Sequence, residues 1–217
     1  MTIISIKTQT QDGDDILKVE LTDGSLLYIK ECYLKRFKEI PLSVIKAGDD
    51  ISSDEETAFR FANDCFKAEQ KGARLIARAE QTMAGLKRKL EERGHDKACV
   101  SAVVALFTEK NLLNDERYAE QWLRFRLTRK SGKINGPRGL SAALGNRGIG
   151  REALKSAFDK TLDEDTEYGL LKRFLTKNRT GSVSGNYSLR GRLKYEGFSS
   201  PVINRYFDED TDKNGKN

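Results

Sequence analysis

Near its start the chain alternates or runs apolar three times, over Ile3 to Lys7, Ile16 to Leu21 and Ser25 to Lys30. Alternation with period two buries one face of a strand, and Asp23-Gly24, between the second and third runs, favours a tight type I′ turn. The pattern predicts a small antiparallel sheet ending near Glu31. A short helical stretch follows, Pro41 opens a further turn, and Gly48-Asp49-Asp50 closes the module. The period then changes. Ser53-Asp54-Glu55-Glu56 reads as a capping box in which Ser53 caps and Glu56 reaches back. Phe59, Ala62, Phe66, Ala73 and Ile76 then form the apolar stripe of a long helix, with Gly72 as its weak point. No convincing strand follows as far as Phe207, and the polar run Asp208 to Asn217 is expected to be a disordered tail.

Within the helical region a single pattern recurs, Leu-x3-Leu-x3-Gly. It falls at Leu86, Leu90 and Gly94, at Leu140, Leu144 and Gly148, and at Leu189, Leu193 and Gly197. Two leucines four apart share one helix face, and a glycine four residues later can end that helix in the left-handed conformation. Each copy precedes a short apolar helix, carrying Val100, Val103 and Phe107, then Leu154 and Phe158, then Val202, Ile203, Tyr206 and Phe207. A longer helix precedes each copy, at about 54–79, 115–128 and 163–177. One copy carries little information, because many helix ends match it. Three in register, with like flanks, point to tandem three-helix units. The expected modules are a β-rich segment at 1–50, helical units at 54–108, 109–160 and 161–208, and a tail at 209–217.

Composition supports helix: the chain has only 3 prolines, and 33% of its 217 residues are charged. The net charge of +6 is unevenly spread. Residues 1–66 carry 8 basic and 13 acidic side chains, residues 70–155 carry 19 and 9, and residues 156–217 carry 11 and 10. A positive middle attracts polyanions. Its candidate binding groups are Lys87, Arg88 and Lys89 between the first pair of leucines. In the second unit they are Arg124, Arg126, Arg129, Lys130, Lys133 and Arg138, with Arg147 and Arg151 flanking the second glycine. Lys87 and Arg88 point to solvent if Leu86 and Leu90 point inward. Arginine and lysine at this density suit phosphates or the carboxylates of a protein filament. Tyr118, Trp122 and Phe125 read as a core stripe rather than a base-stacking platform.

Catalytic signatures are missing. There is no P-loop, no His-Glu-x2-His and no Gly-x-Ser-x-Gly. The single histidine, His95, sits at a helix end, and Asp208-Glu209-Asp210-x-Asp212 lacks the glycine and final glutamate of a calcium loop. Cys32, Cys65 and Cys99 are too scattered for a disulfide framework or zinc site and read as buried thiols in a reducing compartment. No signal peptide and no apolar run of membrane length is visible. The reading is a cytoplasmic protein, not an enzyme, without cofactor or metal.

The segment NLLNDERYAEQWLRFRLTRKSGKINGPRGLSAALGNRGI from Asn111 resembles the bacterial RecX family. The likeness rests on Asp115, Arg117, Tyr118 and Ala119 at the start of the long helix, followed by Trp122 and Arg126. In the first unit it rests on Arg78, Thr82, Leu86, Lys89, Leu90 and Gly94, and the Arg93-Gly94 and Arg147-Gly148 endings also match. It spans about residues 60–207. Glu196-Gly197, the glycine-rich Gly136-Pro137-Arg138-Gly139, and the helix glycines Gly145 and Gly191 depart from the pattern.

The resemblance implies a mainly α protein of tandem three-helix-bundle repeats in an elongated crescent, with a small N-terminal antiparallel β module. It further implies a monomer that binds the RecA–single-stranded-DNA filament and modulates, by inhibition, RecA recombinase and ATPase activity in DNA repair, recombination and the SOS response, with DNA as a further partner. The alternatives are a helix-turn-helix transcription regulator and a helical protein-interaction scaffold.

Overall fold

The computed structural model describes residues 1–11, 13–37, 45–129, 134–177 and 189–214. The chain divides into two compact units, Met1–Leu113 and Asn114–Asn217. The modules read from the sequence therefore merge in pairs, because each pair shares one buried cluster.

In the first unit, β1 (Ile3–Gln11), β2 (Asp14–Leu21) and β3 (Leu26–Lys30) form an antiparallel sheet with β2 in the middle. The turn between β2 and β3 is not type I′. Gly24 has a φ of 79° while Asp23 keeps a negative φ. Gly24 N–H donates to Leu21 C=O, and Leu21 N–H donates to the carbonyl of Ser25. This is a three-residue loop closed by a glycine bulge, which needs one left-handed residue rather than two. Helix α1 (Glu31–Phe37) follows β3 directly, and Pro41 lies outside the described residues.

Helix α2 (Ser53–Arg78) starts one residue earlier than the sequence suggests. The capping box is Ser52 with Glu55, not Ser53 with Glu56. Both spacings exist in Ser52-Ser53-Asp54-Glu55-Glu56. The pairing of Ile51 N–H with Met1 C=O fixes the register, and Glu56 is used by Arg60, which also reaches Asp23. The buried face of α2 is Ala58, Phe59, Ala62, Cys65, Ala68 and Gly72. Phe66 and Ile76 are only half-buried and Ala73 is exposed. Gly72 is no weak point. A Cβ there would lie 2.7 Å from the Phe107 ring, so the missing side chain is what lets α4 (Lys97–Glu109) approach α2. Ile3, Val19, Leu21, Leu27 and Ile29 of the sheet share a single core with α2, Leu86 and Leu90 of α3 (Met83–Glu91), and Val100, Val103 and Phe107 of α4. The side-chain carbonyl of Asn63 accepts Tyr28 N–H at 3.0 Å, giving the edge of β3 a partner from the helix above it.

A charge cluster runs from the surface, at Asp14 and Lys110, into this core, at Lys30 and Glu69. Lys30 ammonium donates to Glu69 at 2.6 Å and to Asp14 at 3.2 Å. Tyr33 hydroxyl donates to the other Glu69 oxygen at 3.0 Å, and Lys110 closes on Asp14 at 2.6 Å. Burial pushes the Cys65 and Tyr33 protons to higher pKa, so neither group ionises under ordinary conditions.

The second unit holds α5 (Asp115–Thr128), α6 (Pro137–Gly145), α7 (Arg151–Thr161), α8 (Glu164–Lys177), α9 (Leu189–Tyr195) and α10 (Ser200–Asn214). Its core comprises Ala119, Leu123 and Leu127 of α5, Leu140, Leu144, Ile149 and Ala157, and Leu170, Leu171, Phe174, Leu193, Val202 and Ile203. The expected tail is mostly helix. α10 runs to Asn214, and Glu209 pairs with Lys172 at 3.4 Å and Arg205 at 3.7 Å.

Each Leu-x3-Leu-x3-Gly segment ends in the same hydrogen-bond motif. Gly94, Gly148 and Gly197 have φ of 83°, 84° and 87°. The residue after each glycine donates its N–H to the carbonyl of the second leucine: His95 to Leu90, Ile149 to Leu144, Phe198 to Leu193. The glycines donate to Glu91, Gly145 and Lys194. This double closure satisfies carbonyls that a helix end would otherwise leave open. At the other end, Thr82 caps α3 by accepting Gly85 N–H at 2.9 Å, which gives the threonine four residues before Leu86 its role.

Candidate functional site

The basic residues singled out by sequence separate by environment. On α3, Lys87 and Arg88 do point to solvent, and Arg88 lies 3.7 Å from Glu92. Lys89 does not. Its ammonium donates to Gln81 at 2.7 Å, and the Gln81 amide in turn donates to Ala79 C=O at 2.8 Å. Lys89 therefore holds the α2–α3 turn, which takes it out of the set of outward-facing cations.

On α5 the arginines do not form one strip. Residues two apart on a helix lie about 160° to 200° apart around its axis, so Arg124 leaves the helix on the side opposite Arg126. Arg124 lies 3.9 Å from Glu120, and Lys160 of α7 reaches Glu120 at 3.0 Å and pairs with Glu116. Ser156 also donates to Glu116. The Lys160 and Ser156 donors hold the Glu116 carboxyl below its ordinary pKa, and the carboxylates raise that of Lys160. This flank of α5 is balanced in charge.

The other flank differs. Trp122 is half-buried, and two guanidinium groups sit on its ring: Arg126, one turn on, at 5.0 Å and Arg147, from the end of α6, at 5.1 Å. Arg147 is anchored a second time by donating to Ala143 C=O at 2.6 Å. Phe125 lies on the same side and is 62% exposed. It is not part of a core stripe. The core stripe of α5 is Ala119, Leu123 and Leu127, with Tyr118 and Trp122 at its margin. The spacing of Tyr118, Trp122 and Phe125 fits one helix face, but period alone does not say which face meets the core. Arg129 lies one turn beyond Phe125 and is exposed. Lys130 and Lys133 lie outside the described residues.

Arg138 forms a second centre. Its guanidinium lies 4.3 Å from the centre of the exposed Tyr195 ring and 3.5 Å from Tyr195 C=O, while its backbone N–H donates to Glu196 C=O at 2.9 Å. The glycines around it serve this crossing. A Cβ on Gly136 would stand 2.7 Å from the Glu196 carbonyl oxygen, and one on Gly197 would stand 2.9 Å from Arg138 N. The glycine-rich start of α6 is therefore a close backbone approach and not a flexible loop. Arg151, the first residue of α7, is exposed.

The last three helices contribute cations that the sequence reading passes over. Arg190 stacks on Phe207 at 4.7 Å, Arg192 lies 5.7 Å from Phe174, and Lys172 and Arg205 cover Tyr168 at 4.1 and 4.3 Å. A signal is present in the sequence, since Arg190 and Arg192 occupy the same places between their leucines as Lys87 and Lys89. Seven cation–aromatic contacts occur among the described residues of the second unit. A guanidinium held over a ring loses rotamer freedom in advance. The arrangement is suited to holding oxyanions. Among the described residues no group of three His, Cys, Asp or Glu could hold a metal ion, and no helix is long and apolar enough to cross a membrane.

No protein-family model matches the chain. Among curated proteins it is 30% identical, over 155 residues, to the regulatory protein RecX of Treponema pallidum (strain Nichols), covering 71% of this chain and 92% of that protein. To the regulatory protein RecX of Clostridioides difficile (strain 630) it is 26% identical over 212 residues, 94% of each. The crystal structure of a regulatory protein RecX shares the fold with a TM-score of 0.65 at 21% identity, covering 95% of this chain and 98% of that one.

Proposed function

This chain belongs to the RecX family of regulatory proteins, and on that footing we propose that it acts by binding a RecA–single-stranded-DNA filament and lowering its recombinase and ATPase activity, without catalysis of its own. The observation that carries the reading is the braced arginine pair on Trp122. Arg126 and Arg147 are fixed on one ring, beside an exposed aromatic residue, on the flank of α5 that lacks the carboxylates of the other. Such a pair meets phosphate or carboxylate oxygens without first losing side-chain freedom.

The test is RecA's DNA-dependent ATP hydrolysis and strand exchange, with the purified chain added from substoichiometric to stoichiometric amounts. Inhibition is expected within that range. A charge-assisted hydrogen bond is worth about 1.5–3 kcal/mol. The double variant Arg126→Glu/Arg147→Glu should therefore need at least about ten times more protein for the same inhibition. Unchanged RecA activity at every ratio refutes the proposal. Arg124→Glu, on the balanced flank, should behave as the parent.

A further inference from the structure

The α5 flank carries more than charge. Trp122, Phe125, Arg126 and Arg129 follow one another at spacings of three, one and three residues. They form a ridge about 10 Å long in which two rings are followed by two guanidiniums, so that Phe125 lies next to Arg126 and one turn before Arg129. Phe125 is exposed whereas Trp122 is half-buried, and burying the Phe125 ring on a partner would remove apolar surface from water. Arg126 and Arg129 pair with no carboxylate among the described residues, whereas Glu116 and Glu120 lie on the opposite flank with Lys160 and Arg124. The charged α5 residues nearest Phe125 along this flank, Arg126 and Arg129, thus carry one sign on a helix that carries both.

We infer that this ridge binds single-stranded nucleic acid directly, with Phe125 stacking on a base while Arg126, Arg147 and Arg129 hold the adjacent phosphates. This deepens the function proposed above and rests on it for the biological setting, though not for the contact itself. The complementarity argues for this occupant. A single strand offers a flat apolar face and an anionic group with every nucleotide, about 3.4 Å apart when stacked, so the ridge spans about three nucleotides. A ring beside guanidiniums matches that pairing and is indifferent to base identity. A protein pocket that buried Phe125 would have to desolvate the neighbouring arginines as well, and would need a carboxylate for each of them.

Trp122 is the chain's single tryptophan, so its fluorescence reports on this ridge alone. Titration of the full chain with a short oligothymidylate, without RecA and at low salt, should quench it. Anisotropy of the same labelled oligomer should give matching affinity. Phe125→Ala should weaken binding about 5- to 150-fold, the loss of one stacked base, and leave the salt dependence unchanged. Phe125→Tyr should restore it. Arg126→Gln should instead lower the log–log salt slope by about 0.7, one phosphate contact on a single strand. Phe125 is exposed, so both of its variants should keep the parent's circular dichroism.

No binding by the parent, or equal binding by Phe125→Ala, overturns the inference. So does a Phe125→Ala variant that keeps its oligothymidylate affinity but no longer affects RecA, since the ring then enters a protein pocket. Conversely, stacking that depends on Phe125 in a chain without effect on RecA supports this inference and refutes the function proposed above.

Discussion

Glu69→Ala should destabilise the first unit by about 3 kcal/mol, the lower end of what breaking a buried ion pair costs. The Lys30 side chain is 6% exposed and that of Glu69 12%. Removing Glu69 leaves the ammonium inside the core with only Asp14, and leaves the Tyr33 hydroxyl without its acceptor. The retained Asp14 contact keeps the cost from rising further. The loss is one of desolvation rather than attraction, so it should shrink sharply in a Lys30→Met background, where no buried charge remains to be stranded. Denaturant unfolding of the four proteins of this cycle, with hydrogen exchange resolved over Met1–Leu113, measures it. Equal costs of Glu69→Ala with and without Lys30 would show that the two groups act independently.

The same cluster contributes to the pH dependence of this unit's stability. Lys110 and Lys30 hold the Asp14 carboxyl below its ordinary value, against the raising effect of burial. Its contribution is therefore present above the unfolded carboxylate pKa, about 3.9, and is lost as pH falls through the folded value. Burial works to lower the Lys30 pKa, but Glu69 and Asp14 outweigh it and the net shift is upward. That contribution is complete below about 10.4 and is lost as pH rises through the folded value.

Gly197→Ala should cost the second unit about 2–5 kcal/mol, combining about 1–2 for a side chain in the left-handed region with about 1–3 for overpacking. The clash is with backbone. The new methyl would stand 2.9 Å from Arg138 N, whose N–H is already committed to Glu196 C=O. Gly94 is the control. Its φ of 83° nearly equals the 87° of Gly197, yet nothing lies within 4 Å of its Cβ position. Gly94→Ala should therefore cost only the conformational share, about 1–2 kcal/mol. Denaturant curves followed by Trp122 fluorescence read the second unit, and circular dichroism reads both. Equal losses at the two glycines would mean that the α6–α9 crossing yields without strain.

These two positions show how the sequence informs and where it stops. Local rules suffice where the determinant is local. The strand alternation, the leucine pairs at four-residue spacing and the glycines after them fix the sheet, the helices and the left-handed caps, because period and backbone freedom belong to the residue itself. Neighbouring equivalents defeat local rules. Ser52 and Ser53 both offer a capping box, and only the pairing of Ile51 with Met1 chooses between them. Asp23-Gly24 signals a turn, but its type depends on how β2 and β3 meet.

The candidate surface divides in the same way. The abundance of arginine and lysine between residues 70 and 155 is a property of the sequence alone, and so is the helix that carries Trp122 and Arg126. Which cations are available is a property of packing. Lys89 is drawn into a turn by Gln81, Arg124 is turned towards Glu120, and Arg147 arrives on Trp122 from another helix. Phe125 shows this most plainly. Its spacing from Trp122 fits a core stripe, and only the position of the α5 helix against Leu140, Leu144 and Ala157 leaves it facing water. Charge and period are written residue by residue, whereas exposure and partnership depend on which distant segments the fold brings alongside.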